Sequence, residues 1–175
     1  TEQELIATCI LLIVAAHETT VNLIGNGTLT LMRHRDQWES LVTDRSLARS
    51  TAEEALRFEP PVQLTSRIAS EAMEIAGYTI EPGTGVTTVL ASANRDPTAF
   101  PDPDRFDIRR SAGRTMSFGM GIHFCLGAPL ARLEGEIAFA TLAREFPDLS
   151  LVNDTVTWRP GIVFHGLASL PVRLG

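Results

Sequence analysis

The stretch FGMGIHFCLG, Phe118 to Gly127, decides how the rest of the chain is read. Three glycines (Gly119, Gly121 and Gly127) surround a lone cysteine, Cys125, just ahead of a long helical pattern. Glycine reaches backbone conformations closed to other residues and lets the main chain approach a bulky group. A thiol just before a helix is favoured as thiolate, because the N-terminal end of the helix dipole is positive. Thiolate is the form that binds a soft metal. The stretch therefore reads as a loop that offers one sulfur anion to a metal, with room beside it for a large cofactor.

Working outward, Leu130, Leu133, Ile137, Phe139 and Leu142 recur at helical spacing, predicting a helix from about Cys125 to Phe146 with one buried face. Residues 152–174 read as short strands broken by Pro160-Gly161 and Pro171. Before the loop, residues 94–114 are rich in Pro, Asp and Arg and form an irregular segment of a length usually reserved for function. Residues 62–93 have the texture of β-structure, with Glu81-Pro82-Gly83 as a turn. Arg67 sits within that apolar texture, either snorkelling from a strand edge or clamping a carboxylate. A helix is expected over about 47–58, ended by Pro60-Pro61. Glu54 and Arg57 lie on one of its faces, a spacing that most often makes only a surface ion pair.

The chain opens with a capping box, Thr1-Glu2-Gln3-Glu4, followed by an uncharged apolar run from Leu5 to Ala16, expected to be buried on most sides. His17-Glu18-Thr19-Thr20 then interrupts it. This is either a helix end emerging into water or a polar notch that delivers protons, since unpartnered polar groups in an apolar helix are costly.

Composition narrows the class. Of 175 residues, 44% are hydrophobic and 21% charged, as in a globular domain, and the net charge of -6 argues against nucleic acid or an anionic membrane as partner. All fifteen basic residues are arginine. Two cysteines, Cys9 and Cys125, make no disulfide framework, nothing resembles a signal peptide, and a twelve-residue apolar run is too short to span a bilayer. A soluble cytoplasmic protein is expected.

These features occur in a familiar order. FGMGIHFCLG, Glu54-Ala55-Leu56-Arg57, Pro103-Asp104-Arg105-Phe106 and Ala15-Ala16-His17-Glu18-Thr19-Thr20 resemble the haem loop, ExxR motif, PERF-like segment and oxygen-activation segment of the bacterial cytochromes P-450. Asp104 stands where Glu is usual, and Ala16 where Gly is usual. The resemblance implies a mainly α fold with small β-sheets (α+β), running from that fold's central helix to its C-terminus. It implies haem b (iron protoporphyrin IX) held by Cys125 as metal ligand, with Ala16, Arg67, Phe118, Gly119, His123 and Gly127 contacting the cofactor. Arg67 and His123 would meet the propionates. Glu18 and Thr19 would be catalytic, handling protons. Glu54, Arg57 and Arg105 would form a structural charge triad. Ala15, Ala16, Val62, Leu64, Val163 and Phe164 would line an apolar substrate site.

The implied activity is insertion of one atom of dioxygen into a small, largely apolar organic substrate. Electrons would come from a ferredoxin or ferredoxin reductase-type donor steered by Arg109, Arg110, Arg114 and Arg132. The alternatives are a peroxide-driven peroxygenase and a non-catalytic haem-binding fragment. Members of the family are considerably longer than this chain. Residues 1–175 are therefore expected to be the C-terminal half of a single domain, with the absent N-terminal half as its partner and an apolar helix face exposed without it.

Overall fold

Helix α1 (Glu2–Arg33) starts as its sequence dictates. The Thr1 hydroxyl accepts the Glu4 amide, and the Glu4 carboxylate reaches back to the Thr1 amine. The computed structural model describes residues 1–111 and 113–175, and α1 is its longest element. From Asn22 onward α1 is mostly interior: Leu23, Leu29 and Leu31 are buried. The expectation that Leu5 to Ala16 is buried does not hold, since Ile10, Leu11 and Ile13 are all more than half exposed. The reason is geometric. α1 packs on the other elements through its C-terminal half, and among the described residues nothing covers its first turns. The apolar character also extends past the twelve-residue run. One 18-residue window reaches a mean hydropathy of 1.6, long and apolar enough, by length and composition, to cross a membrane.

Helices α2 (Arg35–Thr43) and α3 (Ala48–Phe58) follow, and α5 (Ala128–Glu145) packs against all three. Leu23, Trp38, Leu41, Ala52, Ala55, Leu56, Phe106, Ile108 and Phe139 form the shared core. Trp38 is fully buried, and its indole N–H is satisfied by the Pro147 carbonyl at 2.9 Å. The α1–α5 crossing depends on missing side chains. A Cβ at Gly27 would lie 2.4 Å from Cζ of Phe139, and one at Gly135 would lie 3.2 Å from Cδ2 of Leu23.

The strands form four separate antiparallel pairs. β1 (Leu64–Ile68) pairs with β4 (Gly85–Val89), and β2 (Met73–Ile75) with β3 (Tyr78–Ile80). β5 (Ser150–Leu151) pairs with β8 (Val172–Arg173), and β6 (Thr157–Trp158) with β7 (Leu167–Ser169). Two boundaries differ from the sequence expectation. Leu90–Ala93 is a short helix, α4, because the ladder ends at the Leu64↔Val89 pair and Leu-Ala-Ser-Ala suits a helical turn. α5 starts at Ala128 rather than near Cys125, with Gly127 at the N-cap and a proline in its first turn, so Cys125 stays in the loop.

Candidate functional site

The Cys125 loop is built by two left-handed glycines. Gly119 and Gly121 have φ of 69° and 73°, and a Cβ on either would meet nothing within 4 Å. Conformation, not crowding, requires glycine there. The Gly119 amide donates to the Met116 carbonyl at 2.8 Å, a short 3-10 turn spans Gly121–His123, and the Cys125 amide returns to the Phe118 carbonyl at 3.1 Å. Cys125 and His123 are thereby exposed, and Ala128 at the start of α5 donates to the Cys125 carbonyl. A Cβ on Gly127 would be 3.9 Å from the sulfur, in ordinary contact with it.

The loop is anchored on its inner side. Phe118 packs against the core, its ring 6.4 Å from that of Phe124 and capped by the Arg132 guanidinium at 4.6 Å. Arg132 in turn bonds Glu53, tying α5 to α3. Fully buried Asn94 holds the loop's entry: its Oδ1 accepts the Met116 amide at 2.7 Å and its Nδ2 donates to the Ser117 hydroxyl at 2.9 Å. Ser117 passes the bond on to the Leu56 carbonyl at 2.7 Å.

Glu54 and Arg57 are no surface pair. Both are buried, joined by two bonds of 2.8 Å, and Arg57 also donates to the carbonyls of Asn94, Pro103 and Arg105. A buried ion pair is tolerable only when its remaining donors and acceptors are also satisfied, as they are here. The expected third member, Arg105, is not in the cluster. Its side chain is 66% exposed and reaches Asp107 only at 3.9 Å, while its carbonyl accepts from Arg57. Arg110 takes that place, with Nε 3.3 Å from Glu54 and further bonds to the carbonyls of Pro101, Asp102 and Arg105. The cause is the turn at 102–105, which points the Arg105 backbone inward and its side chain out. Asp104 pairs with Arg95 at 2.8 Å.

On α1 the polar notch is not a helix end, since the helix continues to Arg33. Glu18, Thr19 and Thr20 are half-buried and each has a partner. Glu18 lies 3.8 Å from Arg159, Thr19 donates to the Ala15 carbonyl at 2.7 Å, and Thr20 donates to Glu134 at 3.0 Å. Ala15 and Ala16 are exposed.

Four of the apolar candidates meet near one another. A bridge joins Val62 to Phe164, the Gln63 amide donates to the Val163 carbonyl at 2.8 Å, and half-buried Leu64 follows on β1. His165 secures this connection: it stacks on Trp158 at 3.9 Å, faces Glu59 at 2.9 Å, and its carbonyl accepts Nδ2 of Asn26 at 3.0 Å. Arg67 is exposed on β1, its guanidinium on the Ser66 carbonyl at 2.8 Å.

Sequence reasoning missed Asn94, Ser117, Glu134 and Arg159, because none belongs to a motif and their partners lie far along the chain. Among the described residues no group of three or more His, Cys, Asp or Glu could hold a metal ion. One outward sulfur beside open glycines fits a metal that brings its own ligands, as an iron macrocycle does. The fold and site thus define a helix-rich domain that presents a single exposed cysteine from a glycine loop at the start of α5.

The family model described as Cytochrome P450 matches residues 1–159. The chain belongs to the cytochrome P450 family. It is 48% identical over 98% of its length to the biotin biosynthesis cytochrome P450 of Bacillus subtilis (strain 168), and 48% identical over 99% to the vitamin D(3) 25-hydroxylase of Pseudonocardia autotrophica. It covers 44% of each of those relatives. Among solved structures it resembles P450BioI in complex with hexadec-9Z-enoic acid ligated acyl carrier protein, with a TM-score of 0.96 at 48% identity, over 98% of this chain and 45% of that one. It resembles the tirandamycin C-bound P450 monooxygenase TamI equally well, with a TM-score of 0.96 at 49% identity, over 100% and 45%. The mainly α fold with small antiparallel sheets is that of these neighbours.

Proposed function

We propose that the whole protein is a haem-thiolate monooxygenase that inserts one atom of dioxygen into an organic molecule of largely apolar surface. The observation that carries this reading is the Cys125 loop, which holds one sulfur outward at the start of α5 with no cluster of further side-chain ligands among the described residues. When bound, haem b supplies the iron on which dioxygen is activated, and the thiolate's electron donation favours O–O cleavage. Cys125 would hold that iron. Gly119 and Gly127 would give the group room, and Phe118 would pack beside it. Arg67 and His123 would hold its propionates, and Ala16 would contact it from α1. Glu18 and Thr19 would handle the protons that dioxygen cleavage demands, the carboxyl helping to relay them through water to the Thr19 hydroxyl.

An apolar substrate is supported by Val62, Leu64, Val163 and Phe164, with Ala15 and Ala16 on α1. It is supported too by relatives named for vitamin D(3) and for an acyl chain on a carrier protein. Of the arginines proposed to steer a ferredoxin-type donor, Arg110 is committed to Glu54 and Arg132 to Glu53, which leaves exposed Arg109 and Arg114. A preceding half of the same protein is proposed to cover the apolar turns of α1, completing one domain. In that setting α1 is the interior helix of a soluble cytoplasmic enzyme rather than a membrane span.

The test is the reduced, carbon-monoxide-bound absorbance spectrum of the full-length protein beside Cys125→Ala. A thiolate-type Soret band that disappears in the variant is expected, and its absence from the parent rejects the reading.

A further inference from the structure

The chain between β6 and β7 carries Val163 and Phe164, two of the residues proposed to line the substrate site. The Arg159 amide donates to the Gly166 carbonyl at 2.9 Å, which closes the neck of this loop. Beyond the neck the loop has little to hold it. Pro160 has no amide to donate, and Ile162, Val163 and Phe164 are all exposed, so they form no core of their own.

His165, the next residue, ties the loop to three other parts of the fold. Its ring stacks on Trp158 across the hairpin, with centroids 3.9 Å apart and planes 22° apart. Its Nε2 lies 2.9 Å from Oε1 of Glu59, the C-cap of α3. A carboxylate only accepts, so the ring is the donor, and such a bond is of the stronger, charge-assisted kind. The His165 amide donates to the Pro61 carbonyl at 2.8 Å, and its carbonyl accepts Nδ2 of Asn26 at 3.0 Å from the buried face of α1. The next residue, Gly166, sits so close to α1 that a Cβ there would overlap the Asn22 amide. Any residue at 165 could make the main-chain bonds. The stack and the carboxylate bond come from the histidine side chain.

The bridge between Val62 and Phe164 makes the chain extended at that point, and side chains of an extended chain alternate between its two sides. Holding the His165 ring toward Glu59 therefore turns Phe164 the other way. We infer that His165 is a positioning residue for substrate selectivity: its ring, held between Trp158 and Glu59, fixes the direction of Phe164 and Val163. A ligand that packs on Phe164 then meets a wall already ordered, and loses no affinity to ordering it. This rests on the reading of Val163 and Phe164 as lining the substrate site.

The experiment uses the full-length, haem-loaded protein and two nitrogen bases that bind haem iron, imidazole and 4-phenylimidazole, each titrated by the shift of the Soret band. Imidazole reports the iron alone, and the phenyl group reports the apolar wall beside it. The ratio of the two dissociation constants is thus a measure of the wall. Phe164→Ala is the control that lowers the preference for 4-phenylimidazole. His165→Phe keeps the stack and loses the bond, and Glu59→Ala removes the acceptor. Each is expected to cut that preference about fivefold, the size of one lost hydrogen bond, with imidazole binding unchanged. The two together are expected to do no more than either alone. Glu59→Gln, which keeps an acceptor, is expected to retain the parent preference. An unchanged preference in His165→Phe and Glu59→Ala, with Phe164→Ala still lowering it, overturns the inference alone. Additive effects, or a loss shared equally by imidazole, overturn it as well. An unchanged preference in Phe164→Ala instead rejects the lining on which it rests.

Discussion

The side-chain oxygen of Asn94 accepts the Met116 amide at 2.7 Å, and through that bond the buried ion pair reaches the cysteine loop. Arg57 donates to the Asn94 carbonyl, Asn94 clamps Met116 and Ser117, and Phe118 follows, its carbonyl receiving the Cys125 amide. Replacing Asn94 by Ala removes two bonds and leaves a buried amide and hydroxyl short of partners. We expect a loss of about 2–3 kcal/mol. Denaturant unfolding of the full-length protein measures it, and a loss under half a kilocalorie would show that the clamp is incidental.

Arg110 and Arg105 separate two versions of the charge cluster. Arg110→Ala takes the second charge partner from the buried Glu54 carboxylate, leaving it with Arg57, and takes the donor from the Pro101 carbonyl, at a cost of about 1–3 kcal/mol. Arg105→Ala truncates an exposed side chain and should stay within about 0.5 kcal/mol of the parent. The opposite order of the two unfolding midpoints would return Arg105 to the cluster.

At the helix crossing, Gly27→Ala places a methyl where Phe139 Cζ stands, 2.4 Å away. Overpacking of this kind costs about 1–3 kcal/mol. Adding Phe139→Leu to Gly27→Ala should recover part of the loss. A double variant no better than Gly27→Ala would place the strain elsewhere.

Acid should weaken two turns. The Ser46 hydroxyl and amide hold the Asp44 carboxyl below the ordinary aspartate value, and the Thr98 hydroxyl and amide do the same for Asp96. A lowered folded value means a contribution complete above the unfolded value and lost as pH falls through the folded one. Melting temperature followed down through the aspartate range should therefore fall less steeply in Asp44→Asn and Asp96→Asn than in the parent. Equal slopes would contradict these assignments.

Much of this was legible in the residues. The capping box at Thr1, the helix through Glu54 and Arg57, the irregular stretch after Asn94 and the glycine loop all stand where local rules put them, because each is written in neighbouring residues. Arg110 was not legible as the partner of Glu54, since a turn at 102–105 decides which arginine points inward. Asn94 was invisible because a buried amide looks like any other asparagine until its partners, 22 and 23 positions further on, are known. The exposure of Leu5 to Ala16 escaped the periodicity argument for a different reason. An apolar run states that a surface wants covering, and says nothing of whether the cover belongs to the same chain.

Where α1 leaves the rest of the chain, its behaviour becomes mechanical. The Thr20 hydroxyl on Glu134 is the outermost polar tie of α1 to α5 among the described residues, and at 1.5 Å per residue the helix start at Glu2 lies about 27 Å beyond it. A partner that gripped those apolar turns would hold a long lever whose near end carries Glu18 and Thr19.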